Sequence, residues 1–171
     1  MKRAADDSMR DTLQKLIFNC IDLAHIFKHC HWNVRGTLFS PLHKFLDDVY
    51  ESLLEVSDDI AERMQALDYP SDGLVYAVAA QSSLATLPSS FLNRFLPPDM
   101  IVKELTSRLT QLTGMFNEAI KTTEADAVTS NMLQDQTHTL EKHLWMLRSQ
   151  KKNADQVAKY AAAAALKHLG G

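Results

Sequence analysis

Apolar residues return with helical period over four long stretches of the chain. The first runs from about Asp7 to Val34, with Leu13, Leu16, Ile17, Cys20, Leu23, Ala24 and Phe27 on one face, and Gly36 ends it. A second opens at Ser40-Pro41, read as an N-cap followed by a first-turn proline. Its stripe is Leu42, Phe45, Leu46, Val49, Leu53, Val56, Ile60, Met64 and Leu67, and it stops near Tyr69-Pro70. A third starts at Pro98-Asp99 and carries Ile101, Leu105, Leu109, Leu112, Phe116 and Ile120. Thr123-Glu124-Ala125-Asp126 reads as a capping box for a fourth helix that reaches at least Leu147.

The first and third connections are only a few residues long, so each predicts an antiparallel hairpin. The second, from Tyr69 to Pro97, is long enough to hold a short helix around Leu74 to Gln81. Two hairpins joined by one long crossover predict an all-α, ferritin-like four-helix bundle whose crossover carries a short helix. The predicted organisation is an N-terminal arm over 1–12, the bundle domain over 13–149, and a helical extension or tail over 150–171. That last segment is alanine-rich, from Ala161 to Ala165, and alanine extends a helix without an apolar face to bury.

Composition agrees: 171 residues, 46 % apolar and 23 % charged, with only five glycines and five prolines. No signal peptide and no apolar run of membrane-spanning length is evident, so a cytoplasmic protein without a membrane partner is expected. Cys20 and Cys30, the only cysteines, lie on one helix about 15 Å apart along its axis and cannot bridge each other. A net charge of −3 argues against broad nucleic-acid affinity. The N-terminal Lys2, Arg3 and Arg10 are offset by Asp6, Asp7 and Asp11.

The polar side of the second helix changes the picture. Asp47, Asp48, Glu51, Glu55, Asp58, Asp59 and Glu62 form a nearly unbroken carboxylate stripe in which only Lys44 offsets the charge. Several pairs stand four apart, and each like-charged pair costs roughly 0.2–0.5 kcal/mol on an exposed helix. A solvated face usually alternates sign; this one does not, which favours a cation-binding face. His43 sits one turn before Asp47. The short hairpin brings His31, on the apolar face of the first helix, to the same level, whereas His25 and His29 fall on its polar face.

Asp47 and Asp58 are three helical turns apart, about 16 Å along the axis. One metal cannot be held by both from a single helix. Either each chain carries two half-sites, or two copies of the helix pack antiparallel about a two-fold axis. The second arrangement brings His31, His43 and Asp47 of one chain to Asp58 and Glu62 of its mate, making two shared sites per dimer. Imidazole with carboxylate suits iron, zinc or manganese, and the lack of thiolates disfavours structural zinc.

His31-Trp32-Asn33-Val34-Arg35-Gly36, Leu42-His43, Asp47 and Asp58-Asp59-Ile60-Ala61-Glu62-Arg63 together resemble the Dps family of mini-ferritins. The likeness covers roughly Leu13 to Ser149, including Leu144-Trp145. It implies that His31, His43, Asp47, Asp58 and Glu62 are metal ligands of a ferroxidase centre shared across a two-fold axis. It also implies a hollow homo-dodecamer of the bacterial cytoplasm or nucleoid. Such a cage oxidises Fe(II), preferably with hydrogen peroxide, stores ferric mineral, and so spares DNA from oxidative damage. By the same resemblance Trp32 lies near the site, Glu51 and Glu55 nucleate mineral inside, and Glu124 and Asp126 stand near entry pores.

The chain also departs from relatives. None of its seven glutamates has a histidine three residues later, so the Glu-x-x-His centre of the larger ferritins is disfavoured. The lysine-rich tail that many Dps proteins direct at DNA is missing. Lys151, Lys152, Lys159 and Lys167 are the available substitute, and DNA contact is expected to be weak. The competing reading is an architectural cage that compacts DNA with iron chemistry secondary. His25 and His29 suggest an extra metal pair or an idle surface, and His138 and His143 a structural role.

Overall fold

A computed structural model describes the backbone of residues 2–169 and the side chains of residues 7–150. The lysines expected of terminal arms (Lys2, Lys151, Lys152, Lys159 and Lys167) lie outside the described side chains, as do Arg3 and Asp6. Among the described residues five α-helices follow one another: α1 (Lys2–Asn33), α2 (Phe39–Ala66), α3 (Val75–Gln81), α4 (Pro98–Thr122) and α5 (Ala127–Leu169), with one 3-10 turn (Ser89–Phe91) before α4. Packing of α1 along α2 and of α4 along α5 makes two hairpins. The segment holding α3 crosses between them and contacts α1. The fold is the all-α, ferritin-like bundle expected from the periodicity.

The apolar stripes meet in one core. Leu13, Leu16, Leu23 and Phe27 of α1 face Leu42, Leu46, Leu53 and Ile60 of α2, with Ile101, Phe116, Leu133 and Leu140 from the other hairpin. Cys20 and Cys30 are buried in that core as free thiols. Burial pushes the Cys30 thiol up to about 12, helped by the nearby Glu104 carboxylate, and lifts Cys20 further still.

The crossover is tied down by polar contacts rather than by a continuous helix. Gln14 and Asp72 exchange hydrogen bonds, Gln14 Nε2 to the Asp72 carbonyl at 2.7 Å and Asp72 N to Gln14 Oε1 at 2.8 Å. At its far end Leu96 pairs with the α1–α2 turn: Leu96 N donates to the Asn33 carbonyl (2.8 Å) and Arg35 N to the Leu96 carbonyl (2.9 Å). Gly36 in that turn has φ +137°, and a Cβ there would meet Pro98 Cδ at 3.1 Å. Only glycine fits the conformation and the space together.

Two helix starts differ from expectation. α2 begins at Phe39, one residue before Ser40, and no side chain caps it. The supposed capping box at 123–126 is split between two helices. Thr123 closes α4, its hydroxyl donating to the Ala119 carbonyl at 2.9 Å. Asp126 caps α5 instead, its Oδ1 accepting from Val128 N (3.1 Å) and Thr129 N (3.3 Å). An aspartate immediately before the helix does this directly, so no glutamate is needed at the third position.

Candidate metal centre

The end of α1 and the start of α2 hold two histidines in a reciprocal clasp. His31 Nδ1 donates to the His43 backbone carbonyl at 2.8 Å, and His43 Nδ1 donates to the His31 carbonyl at 2.9 Å. The rings stack with centroids 3.7 Å apart and 22° between planes, and Phe39 covers the outer face of His43 at 4.9 Å. A carbonyl oxygen can only accept, so each Nδ1 must carry a proton. In the neutral imidazoles both Nε2 atoms are then lone-pair donors, the tautomer that a metal ligand requires.

One turn further along α2, Asp47 lies near both imidazoles, whose protonated forms favour its ionised state. It also forms an ion pair with Lys28 of α1. The hydrogen bond from Lys28 holds the Asp47 carboxyl below the usual carboxylate range, with His31 and His43 adding to the effect against partial burial. Lys28 Nζ rests 4.7 Å from the Tyr50 ring centroid.

Asp58 lies about three turns and Glu62 about four turns further along α2, both exposed. Asp58 borders a cleft lined by Ile17, Ile21, Leu54 and Ala61 together with Glu55, Ser71 and Asp72, so its carboxylate lies on a mixed apolar and acidic surface. Among the described residues, no three His, Cys, Asp or Glu side chains gather closely enough to hold a metal ion. The imidazoles, held where α1 meets α2, and the distal acids of α2 are two separate clusters.

Similarity to known proteins decides the family. A ferritin-like domain model matches residues 10–157. The chain is 33 % identical over 122 residues to the DNA protection during starvation protein of Helicobacter pylori, covering 70 % of this chain and 81 % of that protein. The chain belongs to the Dps family. It is also 32 % identical over 123 residues to DNA protection during starvation protein 2 of Deinococcus radiodurans, covering 71 % of this chain but only about half (49 %) of that longer protein. The crystal structure of Dps92 from Deinococcus radiodurans superposes with a TM-score of 0.79 at 28 % identity, covering 85 % and 87 % of the two chains.

The other residues that the Dps resemblance singles out are dispersed. Trp32 follows His31 in the chain, but its indole is 67 % exposed. Glu51 and Glu55 are exposed along α2. Beside them Asp48 pairs with Lys44 at 2.7 Å, and Asp59 accepts a hydrogen bond from Gln136 Nε2 at 3.3 Å. Glu124 is exposed in the α4–α5 turn. Asp126 is engaged within its own chain, capping α5 and pairing with Arg63 at 2.7 Å. Burial opposes ionisation of Asp126, but the bonds from Arg63 and Thr129 outweigh it and lower its pKa.

His29 is not the idle surface group expected from its helix face. Its Nε2 lies 3.0 Å from the Phe91 carbonyl, fastening the crossover to α1, while His25 remains exposed beside Tyr50. His143 is half-buried, Nε2 3.0 Å from Ser52 Oγ, and burial lowers its pKa. Sequence reasoning missed Lys28 and Arg63. Lys28 was findable, since it stands three residues before His31 and so on the same helical face.

Proposed function

We propose that this chain is a ferroxidase and iron store that completes its metal site by pairing with a second copy of itself. The observation that carries the reading is the His31–His43 clasp, which leaves both Nε2 lone pairs free of the clasp one turn before Asp47 on α2. Elsewhere in the chain Asp58 and Glu62 stand exposed and without imidazole neighbours. Antiparallel pairing of two α2 helices about a two-fold axis brings each clasp to Asp58 and Glu62 of the partner subunit. Membership of the Dps family supports iron storage and DNA protection in general terms. The dodecameric cage, the peroxide preference and the ligand set are our extension of it.

The chemistry follows from the donors. Fe(II) enters as substrate and would meet two imidazoles whose tautomers the clasp already sets; Asp47, held by Lys28, and the partner's carboxylates would have to close on the ion. Carboxylates from the partner compensate the charge that grows as iron becomes ferric. Two Fe(II) ions each give one electron to one hydrogen peroxide, whose O–O bond breaks. With water the products are ferric oxyhydroxide and protons. Zinc and manganese share the preference for imidazole and carboxylate and are expected to compete for the site. Glu51 and Glu55 present exposed oxygens for the mineral to start on. Glu124, with Asp126 behind it, marks the expected entry route. Removing Fe(II) and peroxide together is what protects DNA.

Stopped-flow oxidation of Fe(II), with peroxide compared against oxygen, tests the proposal on wild type and Asp58→Asn. Wild type is expected to react faster with peroxide, and the variant to lose about 100-fold in initial rate, the scale of disrupted metal sites. An unchanged rate in the variant sinks the ligand assignment.

A further inference from the structure

The two rings of the clasp are not covered alike. His43 lies between two rings, His31 on one face with centroids 3.7 Å apart at 22°, and Phe39 on the other at 4.9 Å and 29°. Among the described residues no ring covers the second face of His31. Phe39 is the first residue of α2 and stands four positions before His43, so helix geometry puts both side chains on one face. No side chain caps this helix start, and the Phe39 amide is held by the Gly36 carbonyl at 3.1 Å. The Phe39 ring is still 46 % exposed. Burial accounts for only part of its placement, and the group that fixes its plane is the His43 imidazole.

We infer that Phe39 is a positioning residue for metal binding that acts through His43. The inference rests on the reading of His43 as an iron ligand. The bond from Nδ1 to the His31 carbonyl anchors one atom of the imidazole. A ring held at one atom can still tilt about that bond, and its Nε2 lone pair tilts with it. Rings on both faces remove that freedom, so Nε2 keeps one bearing before any ion arrives. Charge adds a second effect. An imidazole that gives its lone pair to a metal becomes electron-poor, and His31 and His43 would then face each other as like partial charges across 3.7 Å. The electron-rich face of Phe39 lies on the far side of His43 and offsets that repulsion. Phe39→Leu would keep the cover but bring neither a flat ring nor a π-face. Phe39 touches a ligand and leaves the electron transfer to the iron and its oxidant.

The test is competition titration of the assembled full-length protein with Zn(II), which is not oxidised, beside stopped-flow Fe(II) oxidation. Only the Zn(II) binding lost on His43→Ala is counted, which removes weak binding by the exposed acidic face. Phe39→Leu is expected to weaken that binding about threefold, and Phe39→Tyr to restore wild-type affinity. In stopped flow Phe39→Leu should need about three times more Fe(II) for half its maximal rate, the change falling on that concentration rather than on the maximal rate. Phe39→Met repeats both measurements should Phe39→Leu fail to reach wild-type mass. Wild-type affinity in Phe39→Leu or Phe39→Met, or Phe39→Tyr binding as weakly as either, overturns the inference. So does loss of assembly in both while Phe39→Tyr assembles, which gives the ring to subunit packing instead. No Zn(II) binding lost on His43→Ala defeats the ligand reading itself, whatever the variants at position 39 do.

Discussion

The two ends of α2 carry ligands of the proposed centre in opposite states. At its start, His31 and His43 are locked by each other's carbonyls and Asp47 is locked by Lys28. Toward its end, Asp58 and Glu62 are exposed. Hydrogen bonds fix donors that must hold a particular tautomer. Carboxylates need no tautomer, and those that reach into another molecule gain nothing from internal partners. One end of the helix is preorganised and the other is left available.

Activity should need both ends alike, whereas stability should separate them; the comparison breaks if stability does not. His31→Ala and Asp58→Asn are each expected to lower Fe(II) oxidation by about 100-fold in stopped-flow measurements. Mixing the two inactive variants after dissociation gives the next largest effect. Random pairing makes half the dimers mixed, and each mixed dimer regains one of its two sites. About a quarter of wild-type activity should return if the centre is shared. No recovery in proven mixed dimers refutes sharing.

Stability then separates the two ends. His31→Ala strands the His43 carbonyl and loses a stacked ring, at a cost of about 1–2 kcal/mol in denaturant unfolding. Asp58→Asn should stay within about 0.5 kcal/mol of wild type. Asp126→Ala, which removes the α5 cap and the Arg63 partner, should cost about 1–2 kcal/mol with no direct effect on metal affinity.

The smallest expected effect is a pH dependence. Asp47 and Asp126 titrate below the ordinary carboxylate value in the folded chain. The stability they confer is complete above about pH 4 and is lost as pH falls through their lower native values. Asp126→Asn should flatten that acid limb, measured as thermal midpoint against pH. An unaltered limb would show that Asp126 contributes nothing to it.

Periodicity made the helices legible because each buries a stripe of Leu, Ile and Phe at spacings of three and four. The crossover helix over Val75–Gln81 was visible as well. Cap chemistry was less so: Thr123 and Asp126 both look like caps in one dimension, and only the chain reversal assigns one to each helix. The clasp was half-readable. Sequence spacing puts His31 and His43 at one level, but backbone carbonyls have no letter of their own, so the reciprocal bonds that set the tautomers were invisible. Arg63 finds Asp126 across 63 positions of chain, a separation that no local pattern reports.

The two cysteines have a bearing on how long such a molecule lasts. Peroxide attacks sulfur as thiolate, and neither Cys20 nor Cys30 yields that form near neutral pH from its place in the packing. On the proposed reading, a catalyst fed with peroxide would carry no easily consumed sulfur among these two residues, and its working life would be spared self-inflicted thiol damage.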